Sequence, residues 1–223
     1  STVNAVEHAG LNPIFVDIDP RTWTMDPEHL AACMERYNDV SLILPVTCYG
    51  VPPDLDTICE LAQRYDASVL LDNAHGFGVI DKGRKVHPGP DVQAWSCHAT
   101  KILTAVEGGL VTAREPAMLE EVRRLRRHGL ADDKGRSTPG YNARLDELRA
   151  AIGRHALASV EDVVSRRRSY TLRLRQHLRE RCGGMWQLQE VPDGVESNGQ
   201  NFAVVWRGPC DVDEMRALLE AEG

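Results

Sequence analysis

The sequence has no apolar run long enough to cross a membrane and no excess of positive charge. Its longest apolar stretches, such as residues 41–46 and 68–71, are far shorter than the roughly 20 residues that a membrane-spanning helix needs. Nothing after Ser1 resembles a charged-then-apolar leader. The 26 basic and 33 acidic residues give a formal net charge of −7, which argues against a nucleic-acid-binding surface. We therefore expect a cytoplasmic protein whose partners include neither membranes nor nucleic acids.

The sequence also lacks a C-x-x-C pair and contains little lysine. Its six cysteines are scattered, which favours reduced and mostly buried thiols over a disulfide framework or a metal site. Lys82 and Lys85 belong to the polar turn D-K-G-R-K, and Lys134 belongs to the polar loop D-D-K-G-R. The fourth lysine, Lys101, is the only one beside an apolar segment. Lysine chemistry, if there is any, is therefore expected at Lys101.

Short aliphatic runs alternate with amphipathic segments over the first half of the chain. The segments at residues 26–36 and 54–65 each begin with an aspartate suited to helix capping and carry apolar residues at helical spacing. This alternation predicts an α/β fold with a mainly parallel sheet sandwiched by helices. The runs predicted to be strands are residues 13–17, 41–46, 68–72, 92–96 and 109–113.

The second half of the chain reads differently. Gly183 and Gly184 end a helical stretch, and the arginine run at residues 166–168 is interpreted as a solvated helix face. We predict a large domain over residues 1–150, followed by a linker helix and part of a small α+β domain over residues 151–223. The predicted elements are a helix at 116–127, a polar loop at 130–141, a long or kinked helix at 145–181, a strand at 202–206 and a helix at 211–222.

Both ends of the sequence are abrupt. Ser1 lies at the start of a helical pattern with nothing before it to cap the helix. Gly223 follows a helix at a point where a further strand is expected. We therefore expect the chain to lack material at both termini.

Three residues at or just after predicted strands could carry chemistry. Ligands of a parallel sheet collect at the carboxyl ends of its strands, where Asp72 ends S-V-L-L-D and Ser96 ends V-Q-A-W-S. Alone, Asp72 could equally be a turn or capping residue, and Ser96 a hydroxyl bonded to the backbone. Together with Lys101 they are the groups that pyridoxal 5'-phosphate requires: an amine for its aldehyde, a carboxylate for its ring nitrogen and a hydroxyl for its phosphate.

Three longer motifs occur in order along the chain: D-N-A-H-G-F-G, then S-C-H-A-T-K-I-L-T-A-V-E-G-G-L-V-T, then G-Y-N-A-R-L-D-E-L-R-A-A. With these motifs, residues 1 to at least 168 resemble the DegT/StrS family of nucleotide-sugar aminotransferases. The resemblance implies the fold type I architecture of pyridoxal-phosphate enzymes, in which a large cofactor-binding domain is followed by a smaller one.

The resemblance implies a role for each matching position. Lys101 resembles the lysine that forms the internal aldimine and later moves a proton, and Asp72 resembles the aspartate that pairs with the pyridine nitrogen. Ser96 matches a phosphate ligand. His75 stands where many members carry a glutamine that contacts the phenolic oxygen of the cofactor. Asn142 matches an asparagine that reaches the phosphate from the neighbouring subunit, which implies a homodimer with shared active sites.

Other positions match less well. His98 and Glu107 lie beside the lysine motif and are second-rank candidates for lining the sugar site, while His75 could instead be a packing histidine. Two family features, a phosphate-binding hydroxyl loop and a ring-stacking aromatic residue, would precede Ser1. If these 223 residues are the whole protein, we expect weak or absent cofactor binding.

The resemblance implies transamination of a nucleotide-linked keto sugar, with an amino acid, glutamate in the first instance, as the donor. Two alternatives remain open. One is a related pyridoxal-phosphate enzyme such as a sugar dehydratase, in which the family replaces the lysine by histidine, so that Lys101 argues against it. The other is a non-catalytic truncated or regulatory homologue.

Overall fold

The computed structural model describes residues 1–130 and 138–222, so most of the loop predicted at residues 130–141 lies outside the described residues. The helices are α1 (Thr2–His8), α2 (Pro27–Arg36), α3 (Leu55–Arg64), α4 (Pro116–Leu125), α5 (Glu147–Leu157), α6 (Val160–Arg181) and α7 (Val212–Glu222). The strands are β1 (Leu42–Ile43), β2 (Ser68–Asp72), β3 (Ile80–Asp81), β4 (Val92–Ser96), β5 (Gly109–Ala113), β6 (Trp186–Leu188), β7 (Val195–Glu196) and β8 (Val204–Trp206).

A four-stranded sheet with the order β1-β2-β4-β5 forms the centre of the fold. The β1–β2 and β2–β4 pairs are parallel, and β5 runs antiparallel to β4. The bounds of β2, β4 and β5 confirm three of the five predicted strands. The predicted mainly parallel α/β sheet is therefore confirmed.

The strand predicted at residues 13–17 is wrong. The side chain of Phe15 is 72 % exposed, and the segment pairs with no strand among the described residues. Asp17 instead donates its backbone N–H to His29 Nδ1 (2.8 Å) and accepts from the backbone N–H of Asp26 (3.0 Å). Its backbone groups are therefore satisfied by the start of α2.

Helices α2 and α3 cover one face of the sheet. Each has the predicted aspartate cap: Asp26 accepts a hydrogen bond from Glu28 N, and Asp54 accepts one from Thr57 N. The apolar side chains of the two helices pack against β1 and β2, which anchors the strand that ends at Asp72. The buried cluster comprises Leu30, Met34, Ile43, Ile58, Cys59, Ala62 and Val69.

Residues that follow β4 pack against α6. Cys97, which precedes Lys101, and Ile102, which follows it, are buried with Val160 and Val164, so apolar contacts hold the segment on both sides of the lysine. The helix predicted at 145–181 is divided into α5 and α6 at residues 158–159. Gly183, with φ of +54°, follows α6 as expected.

The C-terminal strands form small antiparallel pairs. β6 pairs with β8, and β7 pairs with β3, which lies between β2 and β4 in the chain. The strand predicted at 202–206 is shorter than expected, because β8 begins at Val204. The division into domains at residue 150 stays a prediction, and that position lies within α5.

All six cysteines are free, as predicted from their spacing. Three are buried and three are half-buried, and burial raises the pKa of the Cys59 thiol to about 11. Within residues 1–130 and 138–222, no helix is both long and apolar enough to span a membrane.

The buried residue His87 should make the free energy of unfolding depend on pH. Its ring is buried (7 % exposed), with Nε2 3.0 Å from Asp56 Oδ1, and Nδ1 accepts from the backbone N–H of Gly89 (3.1 Å). Burial lowers the pKa of His87 below its ordinary 6.5, although the nearby carboxylates act in the opposite direction. Below about pH 6.5 the unfolded chain therefore binds more protons than the folded chain, and the free energy of unfolding falls as the pH is lowered.

This dependence can be measured by urea unfolding between pH 7.5 and 5.0. His75 contributes with the same sign, since burial also lowers its pKa. We expect His87→Gln to reduce the pH slope of stability without removing it. A variant with an unchanged slope would show that His87 is not the titrating group.

Candidate active site

The polar residues at the ends of β2 and β4 lie at the same edge of the sheet. Asp72 is the last residue of β2 and is in register with Ala94 of the parallel strand β4, two residues before Ser96. The carboxyl ends of neighbouring parallel strands are where an open α/β sheet binds ligands. The structure thus brings the predicted carboxylate and hydroxyl to one edge.

The Asp72 carboxylate is held by two hydrogen bonds. Thr2 Oγ1 donates to Oδ2 (2.6 Å), and the backbone N–H of Ala74 donates to Oδ1 (3.1 Å). The first contact joins α1 to β2 across 70 residues of sequence. The direction of the carboxylate is therefore determined by groups on both sides of it.

Lys101 lies in irregular structure between β4 and β5 and is half-buried. Burial lowers the pKa of its amine, and the negative charge of Asp72 acts against that change. Within the described part of the chain, no hydrogen bond or ion pair reaches Nζ of Lys101. A half-buried amine with a lowered pKa and without a partner is suited to condensing with an aldehyde.

His75 belongs to the same group of side chains. Its ring stacks on Tyr49, with centroids 6.2 Å apart and planes inclined by 25°. The pKa of His75 is lowered mainly by burial and secondly by the charge of Lys101, while Asp72 acts to raise it. The charges of Lys101 and Asp72 therefore both act on the pKa of His75, and His75 is neutral near pH 7.

Ser96 lies at the same edge, where its hydroxyl accepts a hydrogen bond from the backbone N–H of His98 (3.3 Å). His98 Nδ1 is 2.9 Å from Thr100 Oγ1, and its Nε2 is 3.5 Å from Glu107 Oε1. The two second-rank candidates, His98 and Glu107, are thus paired with each other beside the lysine loop.

Asn142 has no hydrogen bond to the other predicted residues within the described part of the chain. It is exposed, and its backbone forms a bridge with Arg127. Among the contacts of the described residues, none joins Asn142 to Asp72, Ser96 or Lys101. Its predicted role at a neighbouring subunit stays a prediction.

Sequence reasoning missed several polar residues that support the site. Thr47 Oγ1 donates to Asn73 Oδ1 (2.7 Å), and Asn73 Nδ2 donates to Gln93 Oε1 (3.2 Å), which fixes the turn that follows Asp72. Asn198 and Gln200 reach the same region from the C-terminal part of the chain. The only sequence signal for the last two is the polar run S-N-G-Q-N between apolar segments.

Comparison with known proteins places the chain in a family. Residues 1–223 match the DegT/DnrJ/EryC1/StrS aminotransferase family. The chain belongs to this family. The aminotransferases of this family depend on pyridoxal phosphate and have fold type I. The predicted cofactor and the predicted fold class are thereby confirmed.

The chain is similar to a sugar transaminase and to two solved structures. The chain is 33 % identical over 183 residues to dTDP-4-amino-4,6-dideoxy-D-glucose transaminase of Shigella dysenteriae, covering 82 % of this chain and 49 % of that protein. DesV of S. venezuelae, in complex with a ketimine intermediate, superposes with a TM-score of 0.89 at 28 % identity, over 98 % of this chain and 57 % of that one. DesI, in the presence of its TDP-sugar product, superposes with a TM-score of 0.86 at 28 % identity. The match covers 98 % of this chain and 56 % of that one.

The chain spans about half the length of the Shigella transaminase that it matches. Its donor set nevertheless fits pyridoxal phosphate. An amine with a lowered pKa, an oriented carboxylate and a hydroxyl lie at one sheet edge, next to a neutral imidazole. These are the groups that the aldehyde, the ring nitrogen, the phosphate and the phenolic oxygen of the cofactor need.

Proposed function

We propose that the protein transfers an amino group from an amino acid to a nucleotide-linked keto sugar, with pyridoxal phosphate held covalently by Lys101. The observation that carries this proposal is the placement of Asp72 and Ser96 at the carboxyl ends of neighbouring parallel strands, followed by the half-buried Lys101. Family membership supplies the reaction class. The site supplies residues of the right chemistry for each part of it.

Lys101 acts in two ways. Its lowered pKa enlarges the fraction of neutral amine available for attachment to the cofactor aldehyde. As a free amine it could take a proton from the substrate carbon as a general base and then deliver it, as a general acid, to the carbon of the cofactor aldehyde. The cofactor, when bound, supplies the aldehyde and an aromatic ring that accepts electrons.

In this proposal Asp72 and His75 would contact two different polar groups of the ring, its nitrogen and its phenolic oxygen. The Asp72 carboxylate, oriented by Thr2 and Ala74, accepts the N–H of the pyridine nitrogen and keeps that nitrogen protonated. The neutral imidazole of His75 offers one N–H donor to the phenolic oxygen. The Ser96 hydroxyl binds the phosphate.

The substrate assignment rests on the relatives. The Shigella relative is a transaminase of a dTDP-linked amino sugar, and DesI was solved with its TDP-sugar product. His98 and Glu107, paired beside Lys101, are suited to bind sugar hydroxyls. Glutamate is the proposed donor. The free cysteines agree with a cytoplasmic location.

The test is a two-part assay of the purified protein, expressed from its complete reading frame. With pyridoxal phosphate and glutamate alone, we expect stoichiometric formation of 2-oxoglutarate. With a dTDP-linked 4-keto-6-deoxy sugar added, we expect turnover and an amino sugar as the product. A dehydrated sugar would favour the dehydratase alternative, and a lack of both products would favour a non-catalytic homologue.

We also propose a homodimer in which Asn142 completes the site of the partner. Asn142 is exposed, and no hydrogen bond of the described residues joins it to Lys101 of its own chain. Nearby apolar side chains are exposed as well: Leu145 in the loop before α5, and Leu148 and Ile152 on α5. Exposed apolar patches of this kind are typical of interfaces between subunits.

Mixed dimers test this arrangement. Lys101→Ala and Asn142→Ala should each lower activity, because each damages both sites of its own dimer. In a heterodimer of the two variants, one site receives both defects and the other neither. An equal statistical mixture should therefore recover about one quarter of the wild-type activity. If Asn142 served its own chain, mixing would recover nothing.

A further inference from the structure

Gln200 makes two hydrogen bonds to the peptide groups on either side of Lys101. Its side-chain Oε1 accepts from the backbone N–H of Ile102 (2.9 Å), and its Nε2 donates to the carbonyl oxygen of Thr100 (2.8 Å). Gln200 is only 9 % exposed, and it is about a hundred residues away from both partners in sequence. One buried amide thus pairs with both peptide bonds of the lysine.

These bonds matter because Lys101 lies in neither a helix nor a strand. Its own backbone N–H donates to the carbonyl of His98 (2.9 Å), which is a local contact within the turn. The carbonyl of Thr100 belongs to the peptide bond before Lys101, and the N–H of Ile102 belongs to the one after it. Fixing both peptide planes fixes the direction in which the Lys101 side chain leaves the backbone.

Gln200 is itself anchored to the loop that carries His75. Its backbone N–H donates to Asn198 Oδ1 (2.8 Å), and Asn198 Nδ2 donates to the carbonyls of His75 (2.7 Å) and Phe77 (2.9 Å). Asn198 is fully buried. Gly199, between Asn198 and Gln200, passes close to α6. A Cβ at this position would lie 2.9 Å from the backbone of Arg167, so the turn has no room for a side chain there.

We propose that Gln200 is a positioning residue that holds the Lys101 amine in register with the groups that follow β2. The link runs from the loop after Asp72 through Asn198 to Gln200, and from there to both neighbours of Lys101. This positioning role rests on the proposed function only because that function assigns Lys101 as the attachment point of the cofactor. Misplacing a reacting group by about 1 Å can lower turnover by about 10²-fold.

The first measurement uses the cofactor-free protein. Its four lysines can be labelled by ¹³C reductive methylation and titrated by NMR, and the Lys101 signal is the one lost in Lys101→Arg. Gln200→Met fills the same space without either hydrogen bond. We expect the pKa of Lys101 to rise toward its ordinary value of 10.5 in this variant, because the amine is no longer directed into its half-buried position.

The matched control is Gln189→Met. Gln189 is also buried, and its Nε2 donates to the carbonyls of Thr22 (2.7 Å) and Cys48 (3.0 Å), so this variant also loses two buried bonds. We expect it to lower stability but to leave the titration of Lys101 unchanged. Equal changes in the two variants, or no change in Gln200→Met, would overturn the proposal.

The second measurement uses the cofactor-loaded protein. Gln200→Met should lower kcat about 10²-fold and slow cofactor attachment, with KM for both substrates within a few-fold of wild type. If the wild type attaches no cofactor at Lys101, the proposed function fails, whereas the NMR measurement still decides the positioning role. If the wild type attaches cofactor and Gln200→Met behaves like it, the positioning role fails alone.

Gln200→Glu serves if the methionine variant does not fold. The protonated carboxyl can make both bonds, whereas the ionised form has no proton to donate to Thr100. Turnover of this variant should therefore fall with rising pH at a step that the wild type lacks. An identical pH profile would overturn the proposal.

Discussion

Lys101→Ala is expected to abolish covalent attachment of pyridoxal phosphate and to lower transamination by at least about 10³-fold, since the variant loses both the attachment point and the proton carrier. Absorbance after borohydride treatment measures attachment, and the two-part assay measures transamination. Lys101→Arg should fail as well, because the guanidinium keeps a positive charge but is never a neutral amine. Charge alone would then be excluded as the contribution of this residue.

Lys85→Ala is the matched control for this experiment. Lys85 is exposed, pairs with Glu161 at 3.0 Å and has no proposed role in the site. We expect attachment to be unchanged, with stability within about 0.5 kcal/mol of wild type. Lys101→Ala protein that retained borohydride-trapped cofactor would contradict the assignment.

Asp72→Asn should keep the bound cofactor but lower kcat by about 10²–10³-fold, as expected when a charged group that stabilises developing charge is replaced. The substitution preserves size and removes the negative charge next to the ring. Since the Asp72 carboxylate acts to raise the pKa of Lys101, its loss should lower that pKa further. Steady-state kinetics with both substrates and the lysine titration measure the two effects.

Asp91→Asn separates this electrostatic role from a general loss of structure. Asp91 is also half-buried; it accepts from the backbone N–H of Val69 (2.8 Å) and pairs with Arg114 at 2.5 Å. The control should lose stability and keep its kcat. Near-normal turnover of Asp72→Asn would remove the proposed role of Asp72 at the ring nitrogen.

Local patterns predicted most of the central fold. The runs that form β2, β4 and β5 are short, mainly apolar and bounded by polar turns. This local pattern is typical of strands in a sheet, so the sequence alone locates them. The caps at Asp26 and Asp54 form with residues two or three positions away, which is why sequence alone locates them. Residues 13–17 have the same composition as a strand, but the backbone groups of Asp17 pair with His29 and Asp26 at the start of α2 instead.

The residues of the candidate site also fall into two groups, those that local sequence patterns reveal and those that they do not. Asp72, Ser96 and Lys101 follow strand ends or belong to recognisable motifs, so their types and order reveal them. Thr2 and Gln200 do not, because their roles depend on contacts across 70 and about 100 residues, and nothing local distinguishes them from surface polar residues. Tertiary hydrogen bonds to the backbone leave no periodic pattern in a sequence.

The most direct test of the account is to locate the cofactor among the four lysines. The protein is incubated with pyridoxal phosphate, reduced with borohydride, digested and sequenced by mass spectrometry. We predict that the reduced cofactor is found on Lys101 and that Lys82, Lys85 and Lys134 remain unmodified. A label on any of those three in place of Lys101, or no label on Lys101 at saturating cofactor, would contradict the central claim.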